Sequence, residues 1–120
     1  MQSEFWGFLE QLIASSEIVI DRPAGSRHPR FAEIVYPFDY GYLAGTSSAD
    51  GDGMDVWRGS LEEKTLGAIL VTVDLRKRDS EIKLLLGCTP QEIAAILDFH
   101  NKGEMRAELV LRPATTKEKT

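Results

Sequence analysis

Residues 66–74 (LGAILVTVD) are the strongest strand signal in the chain. A charged turn follows, Arg76-Lys77-Arg78-Asp79-Ser80, and Glu81 to Leu86 supplies the partner strand. This hairpin commits the chain to a sheet. Three further segments read as extended: Glu17 to Asp21 (EIVID), Met54 to Arg58 with Val56 facing inward, and Met105 to Leu111. Pro23-Ala24-Gly25-Ser26 breaks the first of them. Residues 31–43 are rich in aromatics, but Pro37 argues against a central strand, so short irregular extended pieces are expected there.

Two helices complete the pattern. In residues 4–14, Phe5, Leu9, Leu12 and Ile13 fall on one face at helical spacing, with Trp6 and Phe8 widening it and Ser3 as the N-cap. Thr89-Pro90-Gln91-Glu92 starts the second: a capping box from Thr89 to Glu92 with Pro90 at the first helical position. Ile93, Ile96 and Leu97 form its buried face, and Gly103 is the expected stop. About five strands with a helix near each end predict a mainly β fold with flanking helices (α+β), a small OB-like barrel. One domain is expected over residues 1–113, with a polar, disordered tail at 114–120.

The charge balance narrows the function classes. Lys and Arg number 14 against 19 Asp and Glu, a net charge of −5. A nucleic-acid binder normally carries a basic excess, so nucleic acid is not the expected partner. No apolar stretch reaches the ~20 residues of a membrane-spanning helix, and no signal segment is evident. The single cysteine, Cys88, excludes an intrachain disulfide, so a reducing cytoplasm is the expected compartment. The charges are also clustered. Arg22, Arg27, His28 and Arg30 lie close in sequence, as do Asp50, Asp52 and Asp55. A basic and an acidic cluster in one small domain can bind an anion and a metal cation together.

Asp50-Gly51-Asp52-Gly53-Met54-Asp55 is the most informative segment. Its carboxylates can converge because glycine lets the backbone curl without a Cβ clash. Converging carboxylates repel one another unless cations sit between them, and hard oxygen ligands suit Mg²⁺ or Mn²⁺. The competing reading is a solvated turn, where Asp and Gly are favoured. An EF-hand is excluded, because its fifth, sixth and twelfth loop positions hold Met54, Asp55 and Leu61. A phosphatase of the haloacid-dehalogenase type is excluded too, because no buried apolar strand precedes Asp50.

Asp50-Gly51-Asp52-Gly53-Met54-Asp55-Val56 resembles the signature of the soluble family I inorganic pyrophosphatases, Asp-x-Asp-Pro-hydrophobic-Asp-Val. Upstream, Tyr36-Pro37-Phe38-Asp39-Tyr40-Gly41-Tyr42 is similar to the family's Tyr-Pro-x-x-Tyr-Gly-Tyr block at the family's distance, and Ile20-Asp21-Arg22-Pro23 resembles its apolar-Glu-x-Pro strand. The resemblance implies a five-stranded OB-like barrel that hydrolyses pyrophosphate to two phosphates with Mg²⁺, Mn²⁺ being an alternative. It implies a homo-oligomer as well. By the same resemblance Asp50, Asp52 and Asp55 bind metal, Asp52 also acts as base toward the attacking water, and Tyr40 stands near the nucleophile. Arg30 stands near the family's phosphate-binding lysine, Lys83 is a candidate for the lysine expected after the later aspartates, and Asp21 edges the metal site; apart from the resemblance, Arg27 is a further basic candidate for the phosphates. Asp74 and Asp79 keep the spacing of two later metal-binding aspartates. Either two residues are inserted before Lys83, or Glu81 and Lys83 fill the later roles and the first aspartate is missing.

The chain departs from the family in several places. Gly53 replaces the signature proline, and a hairpin carrying a phosphate-binding arginine is missing between Arg30 and Tyr36. Where a Tyr-Lys pair is expected, the helix reads Phe99-His100-Asn101-Lys102. The alternatives are therefore a hydrolase of another small phosphoanhydride, or a catalytically weak barrel that binds phosphate or metal. Duller roles stand beside each single residue: the tyrosines as core aromatics, Arg76-Lys77-Arg78 as a solvated turn, His28 and His100 as structural residues, Trp6 and Trp57 as packing, and Cys88 as a small core residue.

Overall fold

The computed structural model describes residues 4–48 and 51–114. In chain order its elements are α1 (Glu4–Ala14), β1 (Ile18–Arg22), β2 (Asp39–Leu43), β3 (Met54–Arg58), β4 (Leu66–Asp74), β5 (Asp79–Leu86), α2 (Pro90–Phe99) and β6 (Met105–Leu111). The strands form one six-stranded sheet in the order β1-β2-β3-β5-β4-β6. Only β3 and β5 run parallel; the other neighbours are antiparallel. The sheet is left open, with β1 and β6 at its two edges, where a closed barrel of about five strands was expected.

The added strand is β2. Pro37 lies two residues before it, so the missing N–H falls outside the ladder and leaves β2 free to pair on both sides. Gly41 makes this pairing close: a Cβ there would overlap the Val19 carbonyl of β1. Strand β5 also begins two residues earlier than expected, because Asp79 pairs with Asp74 directly beside the turn.

Side-chain alternation divides the sheet into two unlike faces. On one face α1 lays Trp6 and Leu9 against Leu43, Val56, Leu66, Ile69, Leu84 and Leu86. Each leucine so buried is worth about 1.5–3 kcal/mol in transfer free energy. On the other face α2 lays Ile96 against Trp57, Ala68, Leu70 and Leu85, with Tyr36 and Tyr40 closing the cluster. Both helices are also tied down by polar contacts. Arg112, just after β6, donates to Glu10 of α1 at 2.6 Å.

The α2 start is the expected capping box: Thr89 Oγ1 accepts from the Glu92 N–H at 3.2 Å, and Glu92 Oε1 accepts from the Thr89 N–H at 2.9 Å. The same Glu92 oxygen accepts from the Ser60 N–H at 3.1 Å, which pins the helix to the segment after β3. Gly103 has a positive φ of 59° but lies in the turn before β6, because the helix stops at Phe99. The expected N-cap Ser3 and most of the expected tail lie outside the described residues. Among the described residues no helix is long and apolar enough to cross a membrane.

Candidate functional site

The α2 side of the sheet is apolar only where the helix covers it. Beyond that cover the same alternation places charged residues on this face. Asp55 precedes Trp57 by two on β3, and Lys83 precedes Leu85 by two on β5. Parallel pairing sets Asp55 beside Lys83 and Trp57 beside Leu85, so one row of side chains runs from core to site. Tyr40 pairs with Trp57 from the other flank, and Tyr42 with Asp55.

Lys83 is the centre of this arrangement. Its ammonium donates to Asp55 Oδ2 at 2.6 Å, to the Tyr40 hydroxyl oxygen at 3.1 Å and to Glu81 Oε1 at 3.3 Å. The Lys83 side chain is only 5% exposed and that of Glu81 8%, whereas Asp55 keeps 20% toward solvent. Burial works against the charge on Lys83. Tyr40 and Asp55 outweigh it and hold the lysine pKa above its ordinary value, so the ammonium persists. Burial drives the Tyr40 phenol in the same direction, well above the usual range, and the Asp55 charge adds to it against the pull of Lys83. Tyr40 is a neutral hydroxyl at any physiological pH.

Aromatic rings buttress the site from behind. Tyr40 packs against Trp57 at 4.7 Å between ring centroids and against Tyr36 at 5.3 Å. The Trp57 indole N–H donates to His100 Nε2 at 3.0 Å, which leaves the imidazole hydrogen on Nδ1. Burial, helped by Lys83, lowers the His100 pKa to about 3. His100 is thus a neutral structural histidine, not a titrating one. Cys88 is equally quiet: burial first and Glu92 second push its thiol up to about 11.

The remaining expected site residues are distributed around this cluster. Asp52 is exposed on the loop before β3, its carbonyl accepting from the Ser48 N–H at 2.7 Å. Asp50, on the same loop, lies outside the described residues. Asp79 alternates with Glu81 and Lys83 on β5 and so shares their face. Asp74 caps the β4–β5 turn, its Oδ1 accepting from the Arg76 and Lys77 N–H groups at 2.9 and 3.1 Å. Asp21 is exposed at the β1 bulge, 3.7 Å from the Arg22 guanidinium.

Arg27 and Arg30 sit on a small loop closed by the Arg27–Val35 bridge. Arg27 Nη1 donates to the Ala32 carbonyl at 2.7 Å, and His28 Nδ1 accepts from the Arg30 N–H at 3.0 Å. The loop reaches across to the hairpin turn, where the Arg76 guanidinium lies 5.9 Å over the Phe31 ring.

Glu81 is the residue that sequence reasoning underweighted. Its two-residue spacing from Lys83 on a strand was the available signal, since that spacing puts both on one face. Gly53 acquires a reason as well. A Cβ at this position would lie 2.7 Å from the Leu43 carbonyl oxygen and 2.8 Å from a Tyr42 ring carbon. The loop therefore crosses β2 too closely for any residue but glycine unless β2 shifts.

Two solved structures share this fold. An inorganic pyrophosphatase from Neisseria gonorrhoeae superposes with a TM-score of 0.64 and 19% sequence identity, covering 79% of this chain and 81% of that one. An inorganic pyrophosphatase from Coxiella burnetii gives a TM-score of 0.55 and 16% identity over 77% and 81% of the two chains. No protein-family model and no curated protein sequence matches the chain. At these identities the likeness establishes a pyrophosphatase-like fold.

Proposed function

We propose that this chain hydrolyses inorganic pyrophosphate to two phosphates in a reaction that needs Mg²⁺, with Mn²⁺ as substitute. The observation that carries this reading is the buried Tyr40–Asp55–Lys83–Glu81 cluster beside the acidic loop of a pyrophosphatase-like sheet. The donors available to a cation there are carboxylate oxygens, the chemistry a hard divalent ion takes. Among the described residues no three such groups close around an ion, and Lys83 stands between two of them. Asp55 and Glu81, with Asp50 and Asp52 of the preceding loop, would hold the ion; Asp79 and Asp74 stand at the turn end of the β4–β5 hairpin and Asp21 on the β1 edge, away from the Asp55–Lys83 row. When bound, it would acidify a water and polarise the phosphoryl group.

The protein's own groups supply the rest. Asp52 takes the proton from the attacking water as its oxygen bonds to phosphorus. The bridging P–O bond breaks, and the leaving phosphate departs with the electron pair. Arg27, Arg30 and Lys83 offset the charge gathering on the oxygens. Tyr40, locked by stacking and by Lys83, positions its hydroxyl at the edge of the site.

Phosphate release from pyrophosphate is expected with Mg²⁺, to vanish in EDTA and to be inhibited by Ca²⁺, which is larger and acidifies water less. Full activity in EDTA overturns the metal requirement, and preference for another small anhydride overturns the substrate. A second reading, a phosphate- or metal-binding sheet of low turnover, is favoured by one observation: the Asp55 carboxylate is already neutralised by an internal cation. Divalent-ion binding without phosphate release would select it.

A further inference from the structure

We infer that Lys83 is a resident cation of the carboxylate site, holding the place between Asp55 and Glu81 that a divalent ion must win. The inference rests on the metal-dependent reading above and concerns how the metal enters. An ammonium has three N–H donors. Lys83 aims them at three acceptors, Asp55 Oδ2 at 2.6 Å, Tyr40 Oη at 3.1 Å and Glu81 Oε1 at 3.3 Å. Its hydrogen-bonding capacity is full, so in this arrangement it has no donor left for a phosphate oxygen. The two carboxylates are correspondingly compensated by a charge that the chain itself provides.

A divalent ion that takes the place between Asp55 and Glu81 displaces the ammonium from it, and the displaced ammonium becomes free to meet an anion. The strand pairing fixes this relation, because Asp55 and Lys83 are register partners on adjacent parallel strands and Glu81 is two residues before Lys83. Metal entry and release of Lys83 are thus one exchange, and linkage makes the coupling reciprocal.

The test is calorimetric titration with Mg²⁺ alone, without substrate, on the wild type and on Lys83→Met. Removing the competing charge is expected to tighten Mg²⁺ binding at least about 10-fold, while Lys83→Arg, which keeps the charge, stays much nearer the wild type. Unchanged or weaker affinity in Lys83→Met overturns the inference and reduces Lys83 to a strand-locking ion pair, with pyrophosphate hydrolysis by the wild type unaffected as a reading. No Mg²⁺ uptake by either protein overturns it as well, together with the metal requirement. If Lys83→Met does not fold, the wild type suffices. Its Lys83 ammonium protons are expected to exchange slowly without metal and fast at saturating Mg²⁺ by NMR. Slow exchange in both states overturns the inference.

Discussion

The two faces of the sheet come from the same strands but solve different problems. Against α1 every inward residue is aliphatic apart from Trp6 and the peripheral Met54, and the cluster has no charge to compensate. Against α2 the packing is aromatic, with Trp57, Tyr36, Tyr40 and Phe99 stacked together, and it ends at three buried or half-buried charges. Aliphatic side chains fill space without direction. Aromatic rings with polar tips fix the orientation of what lies beside them. The first face supplies stability in bulk, and the second holds a polar cluster in register at the cost of burying it.

The largest expected effect belongs to the acidic loop that leads into β3. Asp52→Asn should lower kcat by about 10²–10⁴-fold, the usual cost of losing a general base. The melting temperature should scarcely move, since Asp52 is exposed, and KM should change far less than kcat, since Asp50 and Asp55 remain to hold the ion and Arg30 to meet the substrate. Steady-state kinetics checks this; more than about a tenth of wild-type kcat means that Asp52 is not the base.

Next comes the α1 side. Leu84→Ala empties a fully buried site and should cost about 2–5 kcal/mol of stability. Below the melting transition it should leave kcat unchanged, because Leu84 points away from Lys83 and Asp55. Denaturant unfolding beside kinetics measures both, and a large kcat loss in the folded variant would mean that the faces are not independent.

Asp55→Asn is expected to be smaller and to have the sign that the ion pair dictates. From the acidic loop alone, removing one carboxylate relieves repulsion and should stabilise the protein without metal. In the fold, Asp55 is the 2.6 Å partner of Lys83, so the change should cost about 1–2 kcal/mol instead. Thermal melts in EDTA decide: a higher melting temperature restores the repulsion argument.

The smallest effect is a pH dependence beneath the aromatic packing. Unfolded His100 takes up a proton near 6.5, but folded His100 only near 3. Between these values the unfolded chain binds more protons, so stability falls as pH drops from about 6.5 toward 3. By pH 5 this amounts to at most about 2 kcal/mol. His100→Gln retains an acceptor for the Trp57 N–H but does not titrate. Its unfolding midpoint should fall less between pH 7 and 5, and parallel curves would remove His100 from the acid response.

The local sequence determined most of the secondary structure. The unbroken apolar run at 66–74, the capping box at Thr89 and the helical spacing in 4–14 are signals carried within a few residues, and each element appears where its signal lies. Period-two alternation likewise determined which residues of β3 and β5 share a face. Tertiary structure decided what those residues do. Whether β2 could be an interior strand depended on Gly41 meeting Val19 of β1, a contact across more than twenty residues. Whether Asp55 faced other carboxylates or a lysine depended on β5 lying parallel beside β3, which places Lys83 rather than Asp74 or Asp79 against it. Strand order rests on pairings between segments far apart in the chain, such as β3 with β5. No local pattern carries it, and the electrostatic sign of the site follows from it.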